Sequence, residues 1–339
     1  MKILLIGPYG IGNTILALPT MKLLREKFPD AQIDILTLLK TVYNMINDIP
    51  DFKIFDNVYF LDKKNLIKTF CTILKLHFKK YDYSFLLFPS AKIYYNILNF
   101  LIFAKKRVGA LYPDINFRRG SFLNNVNIKV IEGIHDTFQN INLLSIFNVD
   151  YKKINIKENK SLLTIKKKKK IIGFHTGCKK EDYYRKWNII NYLILIKKIL
   201  KLTKYNLRLF FGPDEFNDYI FLKNNLEGNK RIEFIYNKPL KELFKKINEC
   251  FIFVSNDSGL MHIANFLGCY NIVIWGPSDF RRTGPFNRPF KKIYKNLRCR
   301  PCSHSYNVKS YKFKCLTNDI RCMKSIEVDE VLKEILKFK

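Results

Sequence analysis

A recurring pattern constrains this chain most: short, uninterrupted apolar runs, each closed by small or polar residues and followed by a stretch with helical spacing. The first instance is KILLIG at 2–7, then the turn PYGIGN, then Thr14 to Phe28, where Ile15, Leu18, Leu23 and Leu24 recur at the period of an amphipathic helix. An unbroken apolar run suits a strand buried on both faces, which is the parallel-sheet case. A second strand is predicted at Gln32 to Thr37. The right-handed crossover of a βαβ unit puts helices on both faces of such a sheet. With further strands expected at Asn57 to Leu61 and Ser84 to Phe88, residues 1–155 read as a Rossmann-like α/β domain.

Near residue 150 the pattern gives way to a polar, Lys-rich stretch ending in KKKKK, read as a solvated linker over 156–170. A second α/β series occupies 171–339. Its strands are expected at IIGFH (171–175), LRLFFG (207–212), IEFIY (232–236), CFIFVS (250–255) and NIVIWG (271–276). Helices are expected at about Asn188 to Leu202, Phe216 to Leu226, Leu240 to Glu249 and Gly259 to Leu267, with a last amphipathic helix at Glu327 to Phe338. The fold class is therefore α/β, two doubly wound domains in tandem, with a cleft expected between the carboxyl ends of their sheets, where open α/β folds bind ligands.

Size and composition exclude several other classes. At about 150 residues per domain, 339 residues make two domains, so a disulfide-stapled miniprotein is ruled out. Phe85 to Phe103 is broken by Pro89 and Lys92, and Phe251 to Trp275 carries Asn256, Asp257 and His262. Neither offers about 18 clean apolar residues, so no spanning helix is expected. The start, Met1-Lys2 followed by ILLIG, is too short for a signal peptide, so a cytoplasmic location is expected. Sixty Lys and Arg against 29 Asp and Glu leave a net charge of +31. That excess has two readings: attraction to a polyanion, or the amino-acid bias of an AT-rich coding sequence. Helix-turn-helix, RNA-recognition and zinc-finger spacings are absent, so no nucleic-acid partner is expected, and peripheral contact with an anionic inner membrane leaflet is the preferred use of the charge.

Of eight cysteines, Cys71, Cys178, Cys250 and Cys269 sit among apolar residues and read as core thiols. Cys299, Cys302, Cys315 and Cys322 fall close together, with His304 as a spare ligand. Only the first pair has metal-knuckle spacing, so a structural zinc and reduced or redox-active thiols both stay open.

Three groups of residues point to ligand chemistry. The turn Gly7 to Thr14 lacks the Lys of a P-loop and does not spell G-x-G-x-x-G, yet it leads to a helix N-terminus, which favours an anion; a tight turn with Asn13 as N-cap is the plainer reading. Ser255 to His262 places consecutive polar residues between a buried strand and a helix: Asp257 or Ser258 as cap, Gly259 for close backbone approach, and His262 one turn on. The strand ends His175-Thr176-Gly177, followed by Lys179, Lys180, Arg185 and Lys186, and Gly212-Pro213-Asp214-Glu215 would supply cations for a pyrophosphate and carboxylates for ribose or sugar hydroxyls.

Together these segments resemble glycosyltransferase family 9, the bacterial heptosyltransferases of lipopolysaccharide core synthesis. The likeness runs through GIGNTILALPTMKLLREKFPDAQIDILT, YDYSFLLFPSAK, GIHDTFQNINLLSIF, FHTGCKKEDYYRKW, the segment NDSGLMHIANFLGCYNIVIWGPSDFRRTGPF and the cysteine tail from CRPC to RCM. It implies a GT-B fold and an inverting, metal-independent sugar transfer from an ADP-sugar such as ADP-heptose to a lipid-linked or oligosaccharide acceptor. Carried onto this chain, Thr176 and Arg185 would hold the pyrophosphate, Asp257 with the Ser258 and Gly259 amides the sugar and phosphate, His262 the loop, and Glu215 the ribose. Gly12 and Asn13 would face the acceptor in the first domain. The last helix would pack back on that domain.

One departure stands out. Where the family usually has an Asp proposed as general base, this chain has Asn13, and a neutral amide cannot take a proton. Another base, an orienting role for the amide, and a donor-binding but catalytically silent protein all remain open.

Overall fold

The computed structural model describes residues 1–8, 10–112, 119–154, 169–178, 180–303 and 315–339. The chain divides into two compact units, Met1–Leu162 and Leu163–Lys339. The expected linker, 156–170, lies outside the described residues except for Lys169 and Lys170, which open a strand.

In the first unit the runs read from sequence become β1 (Lys2–Ile6), β2 (Gln32–Thr37), β3 (Asn57–Phe60) and β4 (Tyr83–Leu86), joined by β5 (Lys106–Leu111) and β6 (Val126–Lys129). They form one parallel sheet in the order β3-β2-β1-β4-β5-β6. Among the described residues its helices include α1 (Ile11–Lys27), α2 (Lys40–Asp48), α3 (Leu66–Phe78), α4 (Ile93–Ile102) and α5 (Asp136–Asn142). Leu4, Ile6, Leu36 and Leu86 of the sheet are buried against Leu76, Tyr95, Leu98 and Ile102. β6, at the edge of the sheet, alternates half-buried and exposed residues and so lacks the long apolar run that betrays β1.

The second unit repeats the plan. β7 (Lys169–His175), β8 (Asn206–Phe211), β9 (Ile232–Tyr236), β10 (Cys250–Asn256), β11 (Tyr270–Ile274) and β12 (Phe290–Ile293) form a parallel sheet in the order β12-β11-β10-β7-β8-β9. Among the described residues the α-helices are α6 (Ile189–Leu202), α7 (Phe216–Leu226), α8 (Leu240–Asn248), α9 (Gly259–Phe266), α10 (Phe280–Thr283), α11 (Arg321–Lys324) and α12 (Val328–Leu336). The last helix packs into the core of its own unit. Val331, Leu332 and Ile335 join the core formed by Ile196, Ile199 and Ile272, and Trp187 Nε1 donates to the Ile326 carbonyl at 3.0 Å.

In each sheet the first and fourth strands are neighbours and the winding direction reverses between them. That reversal is the topological switch point of a doubly wound sheet, and ligands bind outside the carboxyl ends of the strands there. For the first unit those ends are Ile6 and Leu86; for the second they are His175 and Asn256. No helix among the described residues is long and apolar enough to cross a membrane.

Candidate nucleotide-sugar site

At the second switch point β7 and β10 run in register, Ser255 beside His175, so the loops that follow them emerge side by side. Asn256 ties them together. Fully buried, it donates through Nδ2 to the Thr176 carbonyl at 2.7 Å and accepts at Oδ1 from the Trp187 N–H at 3.2 Å and the Tyr192 hydroxyl at 3.1 Å. A buried amide with its polar atoms partnered holds backbone in one arrangement, since each alternative leaves a polar group unsatisfied.

The next residue carries charge. Asp257 Oδ2 accepts from Ser278 Oγ at 2.5 Å and from Arg185 Nη1 at 3.1 Å, and Arg185 Nη2 reaches Asp182 Oδ2 at 3.3 Å. Burial pulls the Arg185 guanidinium down, but the carboxylates of Asp257 and Asp182 outweigh it and hold the group above its ordinary value. A cation is thus kept at the carboxyl edge of the sheet, where burial alone would disfavour it.

Ser258 follows as the N-cap of α9. Its backbone is extended at φ −150°, ψ 169°, and its side chain makes no cap hydrogen bond. The Ser258 hydroxyl is buried and, among the described residues, has no hydrogen-bond partner. The first N–H groups of α9, beginning at Gly259, point out of the helix end without intrahelical partners and carry its positive dipole. His262 is buried three residues further on.

Two more predicted residues meet here. Thr176 Oγ1 donates to Asp218 Oδ2 at 2.8 Å, and Lys186 Nζ holds the same carboxylate at 2.7 Å. Glu215 caps its own turn, Oε2 accepting the Gly212 N–H at 2.7 Å. Its carboxyl also lies against Gly177: a Cβ at that position would fall 2.1 Å from Glu215 Oε1, so any larger residue would displace the acid. Thr176, Arg185, Glu215, Asp257, Ser258, Gly259 and His262 therefore all belong to one unit, on the loops and helix starts that follow β7, β8 and β10.

Asp218, Ser278 and the Lys186–Asp218 pair went unseen in the sequence. Asp218 looks like an ordinary acid in the first turn of a helix, favoured there by the dipole alone. Ser278 was detectable: it follows β11, and the carboxyl-edge rule applies to every strand of the sheet.

At the first switch point the Gly7 N–H donates to the Leu36 carbonyl at 2.8 Å, and Gly10, at φ +114°, turns the chain into α1 through a conformation that only glycine adopts easily. The helix starts at Ile11, earlier than expected, and its N-cap is Gly10. Asn13 is therefore not a cap. Gly12 and Asn13 lie partly buried in the first turn, and Thr14 Oγ1 donates back to the Gly10 carbonyl at 2.9 Å.

The cysteine readings need two corrections. Cys71 is exposed on α3 and Cys178 is only half-buried, although Cys250 and Cys269 are core thiols as expected. Cys299, Cys302, Cys315 and Cys322 line one small cavity with Tyr184 and Pro277. Among the described residues, no group of three or more His, Cys, Asp or Glu is arranged to hold a metal ion, so the zinc expectation finds no support; His304 lies outside those residues.

The sequence profile of glycosyltransferase family 9 (heptosyltransferase) matches residues 114–312, more than half of the chain. The chain belongs to glycosyltransferase family 9. Among curated proteins this member of the family is similar to lipooligosaccharide heptosyltransferase 2 of Campylobacter jejuni serotype O:6, 25% identical over 348 residues that cover 99% of each chain. Among solved structures it is similar to the E. coli ADP-heptose LPS heptosyltransferase II, with TM-score 0.73, 18% identity and coverage of 99% of this chain and 98% of that one. It also resembles the E. coli heptosyltransferase WaaC solved with ADP, with TM-score 0.74, 13% identity and full coverage of both chains. The fold of this family 9 glycosyltransferase is GT-B.

Proposed function

We propose that this glycosyltransferase moves a sugar, heptose, from an ADP-sugar to a lipopolysaccharide core or related cell-surface glycan, with inversion at the anomeric carbon and without a required metal. The observation that carries the reading is the Asp257–Gly259 elbow: a buried Arg185 on Asp257, then a buried, unpartnered Ser258 hydroxyl, then a helix N-terminus. A diphosphate suits such a place. Charge-assisted bonds from a guanidinium, hydroxyl and amide donors, and the helix dipole all act on oxygens that gain negative charge as the donor bond breaks. The carboxylate of Asp257 repels phosphate, so it anchors Arg185 and takes hydroxyls of the sugar. Glu215, with one oxygen held by the Gly212 turn, offers the other to ribose. The heptose reading is supported by the name of the Campylobacter jejuni relative, matched over nearly the whole of both chains.

In the transfer the acceptor oxygen attacks the anomeric carbon as the bond to the donor phosphate breaks, and the electron pair leaves with ADP. The acceptor's proton goes to the departing phosphate or to a carboxylate other than residue 13, because Asn13 cannot take it. We assign Asn13 and Gly12 to the acceptor side, with Asn13 orienting the attacking hydroxyl, and the first unit to a lipid-linked or oligosaccharide acceptor at an anionic inner leaflet. Asn13 also motivates a second reading, a protein that binds donor without turning it over.

Incubation with ADP-heptose and a truncated lipooligosaccharide, with ADP release followed over time, separates the two. Acceptor-dependent release supports transfer; donor binding without release supports the silent reading. Asn13→Ala should lower kcat with little change in donor KM, and Asn13→Asp should retain activity within about tenfold if the amide only orients. A much larger loss in the Asp variant would assign the amide itself an essential role.

A further inference from the structure

α4 is apolar on both of its sides. Its buried side sets Asn96 and Asn99 among Tyr95, Leu98 and Ile102, and its exposed side carries Ile93, Ile97, Phe100 and Leu101. The buried amides are satisfied: Asn99 Oδ1 accepts from Ser84 Oγ at 2.6 Å, Asn99 Nδ2 donates to Asn124 Oδ1 at 2.8 Å, and Asn96 Oδ1 accepts from Asn124 Nδ2 at 2.6 Å. The inward side is thus complete in itself, and a second apolar stripe is left outward.

α3 lies alongside and also turns apolar residues outward. Of its 13 residues only Leu76 is buried, while Ile67 is 78% exposed, Phe78 72% and Phe70 61%. Leu66, Phe70, Leu74 and Phe78 recur every four residues and share one stripe. The two helices are joined where His77 Nδ1 meets the Leu101 carbonyl at 2.9 Å and the His77 ring stacks on Phe103 at 5.5 Å. A soluble monomer rarely shows so many apolar side chains in one place without a use for them.

The surrounding charge selects the occupant. Residues 63–80 contain six Lys and residues 92–107 three Lys and one Arg, and neither segment contains an Asp or Glu. Lys79 and Lys105 reach Asp34 and Asp82 outside those segments; Arg107 lies 5.6 Å from the ring centroid of Phe100. A second copy packed here about a two-fold axis would bring this cationic rim against its own likeness. A nucleic acid would satisfy the cations and leave the apolar stripes in water. A surface that is at once apolar and anionic satisfies both.

We propose that the exposed faces of α3 and α4 dock on a lipid bilayer rich in anionic headgroups, with Phe70, Phe78, Ile97 and Phe100 entering the acyl boundary and the flanking lysines meeting phosphates. The proposal rests on the peripheral membrane contact proposed above and gives it a place. It does not depend on which sugar is transferred.

Flotation of the full chain with vesicles of phosphatidylglycerol and phosphatidylethanolamine, against vesicles of phosphatidylcholine alone, tests it. The wild type should float with the anionic vesicles, less so at high salt, and not with phosphatidylcholine. F70S/F78S and, independently, K68E/K75E should each lower partitioning at least tenfold while leaving the melting temperature and the affinity for ADP-heptose unchanged. Should the serine pair unfold, the glutamate pair alone decides. Undiminished flotation of the glutamate variant would overturn the placement, and failure of the wild type to float would overturn membrane contact itself. Conversion of a dimer to a monomer by either variant, without vesicles, would hand the face to a second copy. Donor affinity, measured in the same samples, keeps failure of the membrane proposal apart from failure of the sugar-transfer reading.

Discussion

The two units share one strand order yet place their buried polar groups differently. In the second unit Asn256, Thr176, Asp218, Arg185 and Asp257 gather at the carboxyl ends of β7 and β10, where a doubly wound sheet meets its ligand. In the first unit Asp34 is held by Tyr81 at 2.6 Å and Lys79 at 3.1 Å, and the Ser84, Asn96, Asn99 and Asn124 chain lies beneath α4. The first unit has a buried amide near its switch point too, Asn140 bracketing Phe88 just after β4, but among the described residues its buried carboxylate Asp34 and the amides of α4 hold strands and helices together, and α3 and α4 turn apolar faces outward. The difference teaches that burial of polar residues marks a ligand site only where sheet topology opens a place for one.

Breaking a buried charge pair should give the largest effect and the clearest contrast. Asp257→Ala removes the more buried of the two carboxylates that hold Arg185, leaving Asp182, and should cost about 3 kcal/mol in stability, together with a fall of about 100-fold in kcat/KM for the donor. Asp34→Ala, which removes the acceptor of the buried Tyr81 hydroxyl as well as the partner of Lys79, should cost about 2 kcal/mol by urea denaturation while leaving donor KM within about twofold. Equal damage to donor KM from both would erase the distinction between the units.

A smaller effect sharpens the comparison. Removing the unpartnered hydroxyl in Ser258→Ala should leave stability unchanged and weaken donor binding by about 1 kcal/mol, roughly fivefold, by calorimetry. Ser84→Ala should do the reverse, losing about 1 kcal/mol of stability because Asn99 loses a buried partner, with no change in donor affinity.

The smallest effect concerns thiols. Burial pushes Cys178 up to about 12, with nearby Arg185 opposing. Burial likewise pushes Cys322 up to about 11. At about pH 8 both stay protonated and should resist iodoacetamide in the native protein, whereas exposed Cys71 should react within minutes, as peptide mass spectrometry would show. Rapid labelling of Cys178 would mean its loop opens readily.

Much of this was legible in the amino-acid order. β2, α7 and β9 fall where their apolar period places them, because strands buried on both faces and helices with one wet face leave different signatures. The polar cluster after β10 stood out because polar residues directly after a buried strand need partners. Asn13 lies a turn inside the helix and not at its cap, since α1 starts at Ile11 with Gly10 as N-cap and has no side-chain cap. Asp218 and the buried amides of α4 were hidden for a common reason. Their partners lie far along the chain, Asp218 reaching back to Thr176 and Asn96 forward to Asn124, and no local period records such a pairing.

The central claim is that the elbow after β10 grips the diphosphate of an activated sugar. A crystal structure of the chain soaked with ADP-heptose tests it most directly. The account predicts diphosphate oxygens within hydrogen-bonding distance of the Arg185 guanidinium, the Ser258 hydroxyl and the Gly259 amide. Nucleotide bound elsewhere, with Ser258 still unpartnered and Arg185 still closed on Asp257, would contradict it.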